Sequence, residues 1–168
     1  YEVDLNPFKK AIKTVGENCK EDVLVIVETT VPPGTCEMVI KPIMRDCYKQ
    51  RGIDFNKLKI GHSYERVMPG PDYINSIINF PRVYSGINKI SESHTKEFLE
   101  TFINTDLFPL QKLHSTTASE TAKVLENSYR AMNIAFIDEW TKFAETAGIN
   151  LHEIISVIKV RPTHNNMM

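Results

Sequence analysis

The most regular hydrophobic pattern in the chain covers residues 115–147 and predicts one long helix. Apolar side chains recur there at steps of three and four residues, which places them on one helical face. They are Ala118, Ala122, Leu125, Tyr129, Met132, Phe136, Trp140, Phe143 and Ala147. Thr117 and Glu120 have the spacing of a capping box for the start of this helix, and Gly148 suits its end. The pattern predicts that the apolar face is buried over the whole length.

The opposite face of this predicted helix carries Lys123, Asn127 and Arg130. An ammonium and an amide one turn apart can support a binding or catalytic site. The pattern alone favours the simpler interpretation, in which this face is solvated.

Short apolar runs alternate with helical patterns before the long helix. Strands are predicted at residues 23–27, 58–63, 82–87 and 107–110, the last at an edge because Pro109 cannot donate to a ladder. Helices are predicted between them, including residues 35–50 with a kink or a break at Pro42. This order predicts an α/β layer with a largely parallel sheet, followed by a helical region. We therefore predict one domain at residues 1–112 and a helical one at 113–168.

Composition narrows the class of protein. The 168 residues are 42% hydrophobic and 24% charged, with a net charge of −1, as in soluble globular proteins. This charge gives no reason to expect nucleic acid or a membrane surface as a partner. The three cysteines have no metal-ligand spacing and predict free thiols in a reducing cytoplasm, with no metal site. The chain opens at a helix start and stops just after a proline, so we expect a fragment of a longer protein.

Polar residues that follow the predicted strands are candidates for chemistry, because ligands of doubly wound sheets bind at the carboxyl ends of strands. Thr30 offers a hydroxyl, although its segment also suits an ordinary turn. Glu65 offers a carboxylate that could act as a base, although a surface ion pair is the commoner role. Lys123 could stabilise a developing alkoxide, and Asn127 could hold a hydroxyl or a water. We interpret Cys36 as a small buried residue.

Three stretches together resemble the UDP-glucose/GDP-mannose dehydrogenases. Residues 28–35, Glu-Thr-Thr-Val-Pro-Pro-Gly-Thr, resemble that family's Ser-Thr-Val-Pro-x-Gly-Thr segment. Residues 63–70, Ser-Tyr-Glu-Arg-Val-Met-Pro-Gly, resemble its Ser-Pro-Glu-Arg-x-x-Pro-Gly segment, with Tyr64 where proline is usual. Residues 120–139 resemble its central helix, and the arginines look more like the branch acting on UDP-N-acetylhexosamines.

The resemblance implies the second half of a Rossmann-like parallel sheet followed by an all-helical central region. It implies NAD-dependent oxidation of a sugar C6 hydroxyl to a carboxylate in two steps, for polysaccharide biosynthesis, and a homodimer built through the long helix 115–147. Carried over by position, Thr30, Glu65, Lys123 and Asn127 are the implied catalytic residues. The implied cofactor-binding residues are Thr29, Thr30 and Glu65. The implied substrate-binding residues are Glu65, Arg66, Val67, Lys123, Asn127 and Arg130.

The family's Gly-rich dinucleotide loop and its nucleophilic cysteine match no residue of this chain. We therefore expect the 168 residues to be inactive alone. A β-hydroxyacid dehydrogenase of the 6-phosphogluconate type is an alternative, since it shares a long helix with a Lys-x-x-x-Asn pair. A non-enzymatic module that assembles through the long helix is another.

Overall fold

The structure is a computed structural model that describes residues 3–67 and 69–164. Met68 of the second family motif and residues 1–2 and 165–168 at the two ends lie outside the described residues. The chain divides into two compact units, Tyr1–Val124 and Leu125–Met168. The domain boundary expected between residues 112 and 113 stays a prediction.

The first unit contains four α-helices, four strands and the start of a fifth α-helix among its described residues. The helices are α1 (Asn6–Asn18), α2 (Lys41–Gln50), α3 (Tyr73–Ile78) and α4 (Lys89–Glu100). The strands are β1 (Leu24–Val27), β2 (Lys59–His62), β3 (Val83–Gly86) and β4 (Gln111–Lys112). The long helix α5 (Thr116–Ala147) begins in this unit and was predicted from the sequence within one residue at its start.

The strands form one sheet in the order β1-β2-β3-β4. β1 and β2 are parallel with Val27 opposite His62, whereas β2 and β3 are antiparallel with Gly61 opposite Gly86. The sheet is therefore mixed where the alternating pattern predicted a largely parallel one. The antiparallel pair places the start of β3 at the edge where β1 and β2 end.

Helices cover both faces of this sheet. Ile60 and Val27 belong to a core with Ile40 and Met44 on the side of α1 and α2. Alternate residues point to opposite faces of a strand, so Gly61 faces α4, where a Cβ would collide with the side chain of Thr95. On that second face Tyr84, Leu99 and Ile103 form a smaller core.

A π-helical turn, Cys36–Ile40, precedes helix α2. The helix predicted over residues 35–50 is therefore not a single α-helix. Pro42 has no N–H to donate to the preceding turn, and the wider π turn accommodates its ring. Near Pro42, where a kink or a break was expected, the helix changes from π to α between Ile40 and Lys41.

Two boundary predictions are wrong. The last strand is residues 111–112, not 107–110, because the chain pairs with β3 only after Pro109, through the Gln111 N–H and the Arg82 carbonyl. At the start of α5, Ser115 accepts from the Ala118 N–H at 3.1 Å, so Thr117 and Glu120 do not form the predicted capping box.

The second unit contains the rest of α5 and helix α6 (Leu151–Ile158). Gly148 adopts a φ of 66°, which ends α5, and Asn150 caps α6 through the His152 N–H. The two helices line an open apolar groove formed mainly by aromatic and isoleucine side chains, among them Phe136, Trp140, Phe143, Ile154 and Ile158.

Part of the apolar face of α5 is exposed in this chain. Leu125, Tyr129 and Met132 expose about two thirds of their surface, at 66%, 65% and 71%. The prediction of a face buried along its whole length is wrong beyond Val124, because the pattern identifies an apolar face but not what covers it. Among the described residues, no helix has the length and apolarity needed to cross a bilayer.

Candidate functional site

The carboxyl ends of β1 and β2 lie side by side. The loop that carries Thr29 and Thr30 follows β1, and the loop that carries Glu65 follows β2. The Ser63 N–H donates to the Val27 carbonyl at 3.1 Å, which extends the parallel pairing beyond the strands. Thr29 and Thr30, directly after β1, are both exposed. Both residues are therefore accessible to a ligand at the carboxyl ends of the strands, where sheets of this kind bind ligands.

The loop that carries Thr30 is held from behind by α5. The buried carboxylate of Glu120 accepts from the Gly34 N–H at 2.5 Å and from the Cys36 N–H at 2.8 Å. Gly34 has a φ of 90°, a conformation that L side chains rarely adopt. Glu120 thus joins the helix that bears Lys123 to the loop that bears Thr30, a role that the sequence did not reveal.

Cys36 is fully buried, as predicted. Burial raises the pKa of its thiol, and the neighbouring Glu120 carboxylate raises it further. The thiol is therefore neutral and unsuited to act as a nucleophile.

The second loop brings Glu65 and Lys123 together. The Lys123 ammonium donates to the main-chain carbonyl of Glu65 at 2.8 Å. The Glu65 carboxylate accepts from the Val67 N–H at 2.6 Å, so it turns back onto its own loop. Glu65, Val67 and Lys123 are all half-buried. The Lys123 ammonium is therefore held against the main chain of this loop, and the same loop carries the Glu65 carboxylate.

Arg66 is fixed between neighbouring segments. Its guanidinium donates to the Pro81 carbonyl at 2.9 Å and to the Tyr64 hydroxyl at 3.1 Å. It also lies 5.2 Å from the centre of the Tyr64 ring. The half-buried arginine therefore links the loop after β2 to the segment that enters β3.

Arg82 is a buried cation that the sequence pattern did not indicate. It is 5% exposed, forms an ion pair with Glu28 at 2.5 Å, and lies 5.9 Å from the centre of the Phe102 ring. A buried guanidinium requires such a partner. The sequence pattern could not indicate the ion pair between Arg82 and Glu28, because that pair depends on β3 running antiparallel to β2.

A buried polar cluster joins β2, β3 and α5. Ser119 Oγ lies 2.7 Å from His62 Nδ1 and 2.6 Å from Ser85 Oγ. Burial lowers the pKa of His62 to about 4, so the imidazole is neutral at pH 7. His62 is therefore a neutral, buried part of the packing between β2, β3 and α5.

Asn127 and Arg130 lie in the second unit, with exposed side chains. Their implied roles at the site stay predictions. Within residues 3–67 and 69–164, no cluster of three or more His, Cys, Asp or Glu side chains could hold a metal ion.

The fold is one that nucleotide-sugar dehydrogenases share. The UDP-N-acetyl-mannosamine dehydrogenase Cap5O of Staphylococcus aureus superposes with a TM-score of 0.80 at 25% identity, over 95% of this chain and 37% of that one. UDP-D-ManNAc dehydrogenase of Pyrococcus horikoshii superposes with a TM-score of 0.80 at 28% identity, over 95% of this chain and 36% of that one.

Two family models match the sequence. The model of the UDP-glucose/GDP-mannose dehydrogenase family, NAD binding domain, matches residues 1–103, and that of the family's central domain matches residues 117–168. The chain belongs to the UDP-glucose/GDP-mannose dehydrogenase family, which confirms the resemblance drawn from the motifs.

A curated relative, UDP-N-acetyl-D-mannosamine dehydrogenase of Methanocaldococcus jannaschii, is 32% identical over 162 residues. The match covers 96% of this chain and 35% of that protein. The chain spans about a third of the length of the curated relatives that it matches.

The family domain that residues 1–103 match binds NAD, so the cofactor expectation is confirmed at the level of the family. The residues present fit part of that cofactor. The exposed hydroxyls of Thr29 and Thr30 stand at the carboxyl edge of the parallel pair. No Gly-x-Gly-x-x-Gly occurs in these 168 residues, so they offer no glycine-rich loop for the pyrophosphate.

Proposed function

We propose that these residues belong to an NAD-dependent dehydrogenase that oxidises the C6 hydroxyl of a UDP-N-acetylhexosamine to a carboxylate. The observation that carries this proposal is the 2.8 Å hydrogen bond between Lys123 and the Glu65 carbonyl, which brings two family motifs together. The names of the curated relatives support a UDP-N-acetyl-D-mannosamine substrate.

Bound NAD would supply the hydride acceptor. Thr29 and Thr30 would contact the cofactor at the end of β1, and Thr30 would also orient the C6 hydroxyl or a water. Both hydroxyls are exposed at the expected edge of the sheet, which supports this role.

Lys123 would stabilise the negative charge that develops on the substrate oxygen. A preorganised charge of this kind needs no reorganisation at the moment of reaction. Glu65 would accept a proton, for which its carboxylate must turn away from the Val67 N–H that it now binds. Asn127 would hold the hydroxyl or the water.

The remaining substrate contacts would come from Arg66, Val67 and Arg130. Arg66 offers a fixed cation suited to oxygen-rich ligands, since two of its donors are already positioned by Pro81 and Tyr64. The oxidised product would enter polysaccharide biosynthesis in the cytoplasm.

The 168-residue chain would be inactive alone. None of its cysteines is a suitable nucleophile: Cys36 and Cys47 are buried, and burial raises the pKa of both thiols. Cys19 is half-buried, with its sulfur 3.8 Å from the Tyr48 hydroxyl. NADH formation from a UDP-hexosamine by this chain alone would refute this part of the proposal.

The experiment that tests the function uses the complete protein that carries these residues. NADH formation is followed with UDP-N-acetyl-D-mannosamine, UDP-glucose and 6-phosphogluconate. We expect turnover with the first substrate and a fall in kcat of about 10²–10³-fold in Lys123→Met. Lys142→Met, on the exposed part of α5, is the matched control and should retain activity. Turnover with 6-phosphogluconate alone would contradict the proposal.

A further inference from the structure

Tyr64 lies at the meeting point of two cations. Its side chain is 2% exposed. The Lys123 ammonium is 5.4 Å from the centre of its ring, and the Arg66 guanidinium carbon is 5.2 Å from the same centre. Arg66 also donates to the Tyr64 hydroxyl at 3.1 Å. One buried ring therefore lies against two cationic side chains, those of Lys123 and Arg66.

Lys123 contacts two adjacent residues, through the ring of Tyr64 and the main-chain carbonyl of Glu65. The face of an aromatic ring is electronegative and attracts a cation, most strongly where water is excluded. The same ammonium donates to the carbonyl of Glu65, the residue after Tyr64. A long, flexible lysine side chain loses most of its conformational freedom when the ring and the carbonyl both bind its ammonium.

We propose that Tyr64 is a positioning residue, whose ring holds the Lys123 ammonium at the Glu65 carbonyl and so sets where the site's positive charge lies. The proposal rests on the proposed function, in which that ammonium stabilises a substrate oxyanion. Tyr64 itself would touch neither substrate nor cofactor.

The ring and the hydroxyl have separable roles. The contact with Lys123 requires only the aromatic face, whereas Arg66 uses both the face and the hydroxyl. Tyr64→Phe therefore keeps the lysine contact and is the matched control, while Tyr64→Leu removes the aromatic face and keeps an apolar side chain.

The test is competitive acetylation of the complete protein that carries these residues, with a trace of acetic anhydride and the rate at each lysine measured by mass spectrometry. Loss of the ring contact frees the Lys123 amine, so its rate in Tyr64→Leu should rise about tenfold, with little change in Tyr64→Phe. Lys59 is the internal reference, because its ammonium donates to a carbonyl in the same unit, that of Asp22, at 2.7 Å and is remote from the ring.

Each outcome decides the matter. A rise at Lys123 alone, in Tyr64→Leu alone, supports the proposal. An unchanged rate at Lys123 overturns it. An equal rise at Lys123 and Lys59, or in both variants, shows that Tyr64 only stabilises the fold and also overturns it.

The labelling result does not depend on catalysis, so it separates this proposal from the proposed function. If Lys123 is released in Tyr64→Leu and the complete protein carrying that substitution keeps its kcat, the positioning role stands and the catalytic role of Lys123 falls. A fall in kcat with an unchanged KM for NAD supports both.

Discussion

The buried carboxylate of Glu120 satisfies two main-chain donors at once, and its removal should be costly. In Glu120→Gln one oxygen becomes an NH₂ group that faces either the Gly34 or the Cys36 N–H. An unsatisfied buried donor costs about 1–3 kcal/mol. We expect the free energy of unfolding, measured in urea, to fall by this amount.

The matched control is Glu145→Gln, an exposed carboxylate on the same helix. Its effect should stay within about 0.5 kcal/mol. Faster hydrogen exchange at Gly34 and Cys36 in Glu120→Gln would identify the loop as the region released. Equal stability of the two variants would contradict the role assigned to Glu120.

His62 should make stability depend on pH. Its pKa is lowered from 6.5 to about 4 in the fold, so between those values the unfolded chain binds the proton more readily. Unfolding then takes up a proton, and the free energy of unfolding falls as the pH drops. We expect His62 to contribute a loss of about 2 kcal/mol between pH 7 and pH 4.5.

This contribution is measured by comparing urea unfolding at both pH values in the wild type and in His62→Asn. The variant should lose less stability on acidification, while His152→Asn, at an exposed position, should behave as the wild type does. The same pH dependence in all three chains would show that His62 is not the cause.

Individual residues were predictable where their role depends on near neighbours in sequence. Cys36, which follows the glycine of a tight loop, was correctly expected to be buried. Glu120 was assigned to a local cap, yet its partners lie 84 and 86 residues away. Arg82 and Glu28 pair across 54 residues. Contacts at such separations depend on topology, which the local pattern does not contain.

Helix α4 packs directly against β2 and β3 because both strands carry glycine at the contact. A Cβ at Gly86 would meet the backbone of Ser91 and Glu92, which cannot turn away as a side chain can. Gly86→Ala should therefore lower the free energy of unfolding by about 1–3 kcal/mol.

Gly61 provides the comparison, since the three atoms nearest to a Cβ there all belong to the side chain of Thr95. In a double-mutant cycle, Thr95→Ala should partly rescue Gly61→Ala, with a coupling of about 1 kcal/mol, and should not rescue Gly86→Ala. Equal coupling in both cycles would show that the two contacts are not of different kinds.

Most elements were predictable from periodicity, because helices and strands have different repeats. The first three strands lie within the predicted ranges, and α5 was placed within one residue at its start. The direction of β3 was not predictable. A short helix such as α3 can lead into either a parallel or an antiparallel strand, and the hydrophobic pattern is the same in both.

At the scale of the whole molecule, we propose that the exposed apolar face of α5 binds a second copy of the chain. Leu125, Tyr129, Met132 and Phe136 follow one another at helical spacing and are all more than half exposed. A patch of this kind favours association. Sedimentation should therefore detect a dimer.

The double variant Met132→Glu, Phe136→Glu should shift the chain to monomer, since burying a carboxylate in an apolar contact is unfavourable. Glu145→Lys changes an exposed charge on the same helix and should leave the dimer intact. A wild-type chain that sediments as a monomer would contradict the proposed interface.

The family was recognisable from sequence because its motifs are short, ordered and chemically distinctive. The geometry that connects them was not, since the Lys123 ammonium binds the carbonyl of Glu65 rather than its carboxylate. Motif identity specifies which side chains are available, and only the fold specifies which of their atoms meet.

We propose that these residues serve a nucleotide-sugar dehydrogenase that oxidises C6 from an alcohol to a carboxylate. The most direct measurement is the ratio of NADH formed to UDP-N-acetyl-D-mannosamine consumed by the complete protein. We expect two NADH per sugar, because both oxidation steps would deliver a hydride to NAD. A ratio of one, or NADH formed only from a hydroxyacid, would contradict it.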